Sequence, residues 1–245
     1  MKKLKTQLSR FKRRVLKGIF KGYDLVMDSD KYIRYTHYTN GFHNPNYHFK
    51  KDQIAFVHIP KTGGTTLNRM LEESDDSRFV NLGIHKPVSL ACKVKNYQYF
   101  TVIRNPVDRV WSQYQMVLRS DKEYPYKKFA DRGLDVFLKK CWAVRNMTCR
   151  YLTGEIETEP NDETLKNAMQ NLSSFYAILS FQSFSEEISE FLKEHKVPFT
   201  AIPNERESSY AQPSETEIEL IKKYNKLDMT LFEKWSNKDL ITATV

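Results

Sequence analysis

The stretch Phe56–Leu71, FVHIPKTGGTTLNRML, decides the fold. It begins as part of a short apolar, β-branched run, IAFVHI (54–59), suited to a buried strand. It then passes through a loop rich in Gly and Thr and enters the helical pattern TLNRMLEE. The order strand, glycine loop, helix leaves main-chain N–H groups at a helix N-terminus, where they and the helix dipole suit a phosphate. Gly63 and Gly64 let the backbone approach an anion. Thr62 lies within the loop, Thr65 and Thr66 add hydroxyl donors in the first turn, and Lys61 brings a full positive charge to the loop entrance. An ordinary strand-to-helix turn would ask only for the two glycines; Lys-Thr-Gly-Gly-Thr-Thr after a buried strand goes further and reads as an anion cradle. It is not a Walker A loop, in which the lysine follows the last glycine.

Working outward, strands and helices continue to alternate. RFVNLG (78–83) reads as a second strand and YFTVI (99–103) as a third. The helix after it has a clean start, with Asn105 to cap, Pro106 at the first helical position and Asp108 in the first turn. FYAILSF (175–181) reads as a strand leading into the helix SEEISEFLKEH, and PFTAI (198–202) as another strand. A last helix opens with a capping box, Ser214 and Glu217, and its apolar face runs through Ile218, Ile221, Leu231, Phe232 and Trp235. The pattern predicts an α/β fold with a P-loop-like central parallel sheet flanked by helices, a single domain over residues 53–245.

Composition bounds the function. Hydrophobic content of 40% with 28% charged residues is that of a soluble globular chain, and 14 Tyr with 15 Phe supply a core. The net charge of +9 invites a nucleic-acid reading, but nine of the 39 Lys and Arg lie in residues 1–22, which hold no acid. The remainder carries 30 basic against 30 acidic residues, so the body has no net charge to steer a polyanion, and no nucleic-acid partner is expected. Within residues 1–22, Leu4, Leu8, Phe11, Val15 and Ile19 recur at helical spacing among the basic residues, a basic amphipathic helix. Two readings stay open for it: attachment to an anionic membrane surface, or packing on the protein's own body. Residues 23–52 read as a connecting segment. Three cysteines, Cys92, Cys141 and Cys149, are too few and too odd for a disulfide framework and argue for a reducing compartment; a Cys141–Cys149 pair is the minority alternative. No Cys/His cluster has metal-ligand spacing, so no metal is expected.

A second constellation follows the third strand. Arg104 ends it, and Ser112 lies about two turns into the next helix. An arginine fork at a strand's carboxyl end, with a serine on the adjoining helix, suits one further phosphate; a surface ion pair and a solvated serine are the alternative.

Together, IPKTGGTTL and YFTVIRNPVDRVWSQY resemble the two cofactor signatures of sulfotransferases that use 3′-phosphoadenosine 5′-phosphosulfate (PAPS). The resemblance is closer to the Golgi-type carbohydrate branch, which includes heparan sulfate sulfotransferases, and to its bacterial relatives, and it extends from about Gln53 to Trp235. It implies that the lysine-first loop, Lys61 to Thr66, binds the 5′-phosphosulfate, and that Arg104 and Ser112, at the family's spacing, bind the 3′-phosphate. It implies PAPS as donor, 3′-phosphoadenosine 5′-phosphate (PAP) as product, and a carbohydrate hydroxyl, on a glycan or glycolipid, as acceptor. Sulfuryl transfer needs a base for that hydroxyl, and His suits the task by its pKa. His85, in LGIHKPVSL just past the second strand, lies at the carboxyl edge where ligands collect in such sheets. It is similar to the Gly-His segment of related enzymes, except that Ile84 separates Gly83 from His85. Arg206 and Ser208, in IPNERESSY (202–210), fall where relatives have a loop over the adenosine-phosphate end. RNMTCRYLTG (145–154) resembles a segment packed near the active site, and RSDKEYPYKKF (119–129) is placed to meet an acceptor. Golgi relatives carry a membrane-spanning anchor; no run here approaches the ~18 apolar residues of a span. The expectation is a bacterial cytoplasmic enzyme, peripheral on the inner face of the membrane, rather than a protein of the Golgi lumen. The alternatives are a P-loop kinase-like nucleotide binder, which would need Lys after the glycines and an acid for Mg²⁺, and an inactive PAP-binding relative held at a membrane.

Overall fold

The computed structural model describes residues 54–74, 78–81, 98–121, 124, 126–155, 158–199 and 211–237. The expected helix at 1–22, the connecting segment 23–52 and Cys92 lie outside the described residues. Four strands, β1 (Ile54–Val57), β2 (Phe79–Asn81), β3 (Gln98–Ile103) and β4 (Ala177–Ser180), form one sheet in the order β2-β1-β3-β4. Every pairing is parallel, with Phe56 opposite Phe100, Val57 opposite Thr101, and Ile103 opposite Ser180. Parallel strands need crossovers and are covered on both faces, as their apolar runs predict.

Side-chain alternation along the strands sorts the two faces. Ile54, Phe56, Phe100, Val102 and Leu179 pack with Leu67 and Met70 of α1 (Gly64–Ser74) and with Ile188, Phe191 and Leu192 of α7 (Phe184–Glu194). Ile103 and Ile178 face the other way, onto Cys149 and Leu152 of α5 (Met147–Thr153), Ala168 and Leu172 of α6 (Asp162–Ser173), and Leu231 of α9 (Lys226–Ser236). A third cluster joins α2 (Pro106–Leu118) to the short helices α3 (Lys127–Ala130) and α4 (Leu134–Lys140), the 3₁₀ turn Trp142–Val144, and α8 (Glu215–Tyr224).

Several sequence readings change. The first strand ends at Val57 rather than Ile59, and residues 198–199 are in no element; the rest of the expected strand 198–202 lies outside the described residues. The last helix is two helices, parted at Asn225. There Asn225 Nδ2 donates to Ile221 O at the end of α8, and its Oδ1 accepts from Asn146 N, at 2.9 Å each. The capping box of Ser214 and Glu217 is present. Cys141 and Cys149 are buried thiols and are not joined in a disulfide. No helix among the described residues is long and apolar enough to cross a membrane.

A buried polar lock ties α5 to α9. The Asp228 carboxylate accepts from Thr148 N and Cys149 N, both at 2.9 Å, capping α5. In return Asn146 Oδ1 accepts from Leu227 N and Asp228 N at the start of α9. Asn146 adopts a left-handed backbone (φ 46°), which Asn tolerates better than most residues. Asn146 is buried, and Asn171 donates to Leu152 O at 2.8 Å. Arg109 of α2 completes the lock. It is fully buried, donates to Val144 O at 2.8 Å, and lies 3.9 Å from Asp228. Burial pushes its pKa down and Asp228 opposes that shift. Removing one partner of such a pair strands a buried charge. Asp228→Ala is expected to cost about 3–5 kcal/mol in urea-unfolding free energy; a loss under about 1 kcal/mol would place the pair's role elsewhere.

Candidate active site

The site grows from the carboxyl ends of the two inner strands. After Val57 the chain leaves the sheet, and Thr62 Oγ1 donates to Ile59 O (2.8 Å), tightening the loop. Thr62 is buried, so its hydroxyl serves the loop itself and a ligand would meet only its backbone. Lys61 and Gly63 both have left-handed backbones (φ 69° and 80°), a pairing that curls successive amides toward one side. α1 then begins at Gly64, and the first bond of its ladder runs from Leu67 N to Gly63 O. The amides of Gly64, Thr65 and Thr66 have no acceptor among the described residues, as expected of a helix start without a side-chain cap. Thr65 is exposed and Thr66 half-buried. Three open amides, two adjacent hydroxyl-bearing residues and a lysine at the entrance fit a phosphate or phosphosulfate group.

Packing leaves no room for side chains at the two glycines. A Cβ on Gly63 would lie 2.6 Å from the Phe184 ring and 3.0 Å from that of Phe181. One on Gly64 would lie 2.0 Å from the His58 ring. His58 has a structural part. It is buried, stacked on Phe56 with centroids 5.6 Å apart, and its Nδ1 lies 3.3 Å from Asn68 Nδ2. Burial lowers its pKa to about 4, so at neutral pH the imidazole beneath the cradle is uncharged.

Arg104 leaves β3 on the same edge. Its Nη1 donates to Lys61 O at 3.2 Å, and its guanidinium carbon lies 4.1 Å from the centroid of the Phe181 ring. The two constellations that are 43 residues apart in sequence are therefore in direct contact. Asn105 caps α2 by accepting from Val107 N (2.9 Å), and Pro106 takes the first helical position. Ser112, farther along α2, is 5% exposed, and its hydroxyl is engaged by no described residue. The face shared by Asn105, Asp108 and Ser112 is thus split in use: Asn105 caps, Asp108 is exposed, and Ser112 points inward.

Residues 47–234 match the family model described as Sulfotransferase family, a span that includes both constellations. The chain belongs to the sulfotransferase family. No curated protein matches it. Membership assigns sulfuryl transfer as the chemistry and implies a sulfate donor, and the open amides of the cradle are suited to such an anion.

For a sulfotransferase, the remaining question is the base. Of the sequence-predicted residues, Lys61, Thr62, Gly63, Gly64, Thr65, Thr66, Arg104 and Ser112 are described; His85, Arg206 and Ser208 lie outside the described residues. His195 caps the end of α7, where its carbonyl accepts from Arg78 and its ring meets Phe79, at the amino edge of the sheet opposite the cradle. Neither described histidine therefore suits acceptor deprotonation: His58 is buried and His195 is on the wrong edge. Among the described residues no group of His, Cys, Asp and Glu could hold a metal. Phe181, the last residue of the expected strand 175–181, and Phe184 were not among the expected site residues. The Phe181-Gln-Ser-Phe184 spacing just past a strand's carboxyl end was the available signal.

The uncharged His58 gives a pH signature. It takes up a proton near pH 6.5 in the unfolded chain but only at about 4 in the fold. Its contribution is complete above pH 6.5, falls as pH drops through the window, and is lost by about pH 4. Wild-type stability should lose about 3 kcal/mol across that window through this group, and His58→Gln should lack this component in urea-unfolding titrations. Parallel pH profiles for the two would show that His58 is not held neutral.

Proposed function

We propose that this sulfotransferase moves a sulfuryl group from PAPS to a hydroxyl of a carbohydrate acceptor, a glycan or glycolipid, by in-line displacement. The observation that carries the reading is the contact between Arg104 and the Lys61 carbonyl, which joins two anion-binding constellations on one sheet edge. PAPS supplies an activated sulfuryl group whose leaving oxygen belongs to a phosphate. The amides of Gly64, Thr65 and Thr66, with the Lys61 ammonium, hold that phosphate and stabilise the charge that develops on it. Arg104, with Ser112 on the adjoining helix, holds the 3′-phosphate and so fixes the donor's register. His85 takes the proton from the acceptor hydroxyl as the new S–O bond forms and the bond to the phosphate oxygen breaks. Arg206 and Ser208 supply hydrogen-bond donors to the adenosine-phosphate end.

Ring packing at Gly63 and Gly64 supports a ligand held by main chain rather than by side chains at these positions. The nine basic residues within 1–22 hold the enzyme at an anionic membrane surface, on the cytoplasmic face of a bacterial membrane, where glycolipid acceptors are within reach.

Thermal shift separates this reading from a kinase-like one. PAP should stabilise the chain more than ATP–Mg²⁺ at equal concentration; preference for ATP–Mg²⁺ would remove the PAPS assignment. With labelled PAPS and an accepted glycan, His85→Ala should lower turnover by roughly 10²–10⁴-fold with PAP binding retained, whereas Lys61→Ala should impair both. Equal loss of both in His85→Ala would make His85 structural.

A further inference from the structure

The Phe181 side chain lies against both constellations. Its ring lies under the Arg104 guanidinium, 4.1 Å from centroid to guanidinium carbon. The same ring reaches to within 3.0 Å of where a Cβ on Gly63 would stand, beside Phe184, whose ring centroid is 5.4 Å away. Its backbone is fixed as well: Phe181 N donates to Ile103 O (2.8 Å), adding one bond to the parallel ladder just before Arg104. β4 therefore delivers the ring to a set place beside β3. Phe181 and Phe184 also pack onto the core cluster of Phe56, Leu67 and Phe100, so the ring has a rigid base.

An arginine that must grip a phosphate has several rotatable bonds to immobilise. Lying flat on an aromatic face restricts the guanidinium plane while leaving its edge N–H groups available, since the cation–π contact uses the plane and hydrogen bonds use the rim. Arg104 already directs one edge donor to Lys61 O. Arg109, close enough for its charge to interact with that of Arg104, is engaged with Val144 O and Asp228.

We propose that Phe181 is a positioning residue for donor recognition: its ring holds the Arg104 guanidinium in the plane that meets the 3′-phosphate, and it walls the cradle at Gly63 so that the two ends of the nucleotide are read at a fixed separation. This rests on the PAPS reading above. It makes discrimination for the 3′-phosphate depend on the residue that directly follows β4, outside both signature segments.

The test is the ratio of dissociation constants for adenosine 5′-monophosphate and PAP, which share the 5′-phosphate and differ in the 3′-phosphate. Measured by calorimetry, the wild type should prefer PAP. Phe181→Leu should cut that preference about tenfold, with PAP weakened more than the monophosphate. Phe181→Met, whose unbranched and flexible side chain can fill the ring's length, should do the same and serves if the leucine variant folds poorly; Phe181→Tyr, which keeps the aromatic face, should restore the wild-type ratio. In an Arg104→Gln background, Phe181→Met should leave the ratio unchanged. If Phe181→Met keeps the wild-type ratio, weakens both nucleotides equally, or is not distinguished from Phe181→Tyr, Phe181 is only core packing and the inference is overturned. A wild type with no preference for PAP overturns the donor reading itself and this inference with it, an outcome visible before any variant is made.

Discussion

The pairing of β1 with β3 is the constraint on which the site depends. The two strands are inner neighbours in a parallel sheet, in register from Ile54–Gln98 to Val57–Thr101. The buried Thr101 hydroxyl adds a bond to Val57 O at 2.9 Å, at the last step before the chains diverge. Parallel strands end on the same edge, so the loop that follows Val57 and the arginine that follows Ile103 emerge side by side. A shift of one residue would turn Phe56 and Phe100 out of the α1–α7 core and move Arg104 away from Lys61. The hydrophobic pattern that makes the sheet also sets the spacing of the glycine loop and Arg104, the two groups proposed to hold the donor.

At that edge the backbone adopts a conformation with local cost, and the surroundings hold it there. A left-handed lysine is disfavoured by about 1–2 kcal/mol, yet Lys61 keeps φ 69°. Its carbonyl receives the Arg104 donor, and the next residue's hydroxyl ties back to Ile59. Rings press on the cradle at both glycines, Phe181 and Phe184 at Gly63 and His58 at Gly64. Such a loop presents its amides with little reorganisation left to make, which is what electrostatic stabilisation of a leaving phosphate oxygen requires. The Arg109–Asp228–Asn146 lock works at the next level out, fixing α2 and α5 against α9 beneath the second constellation.

The sheet and its flanking signals were legible in the sequence because each rests on local chemistry. Short β-branched runs gave β1 and β3, Asn105-Pro106 gave the start of α2, and Ser214 with Glu217 gave that of α8. Residues 126–173 were not legible as helices. α3, α4 and α5 are four to seven residues long, too short for a periodic pattern, and tertiary contacts stabilise them. The N-terminal capping box of α6 uses Asn161 with Thr164 in place of the usual acid or amide, which hides it. The break at Asn225 depends on Asn146, 79 residues earlier in the chain, and no local rule contains it. At the site, the glycine loop and Arg104 carried their own chemistry in the sequence. The inward-turned Thr62 hydroxyl and the rings of Phe181 and His58 against the cradle needed the packed fold to be seen.

The central claim is that one edge of the sheet grips both phosphate-bearing ends of a sulfuryl donor, and a crystal structure of the chain with PAP addresses it most directly. The account predicts the 5′-phosphate on the amides of Gly64, Thr65 and Thr66 beside Lys61, and the 3′-phosphate between Arg104 and Ser112. A nucleotide bound away from that edge, or bound there with its 3′-phosphate turned from Arg104, would contradict it.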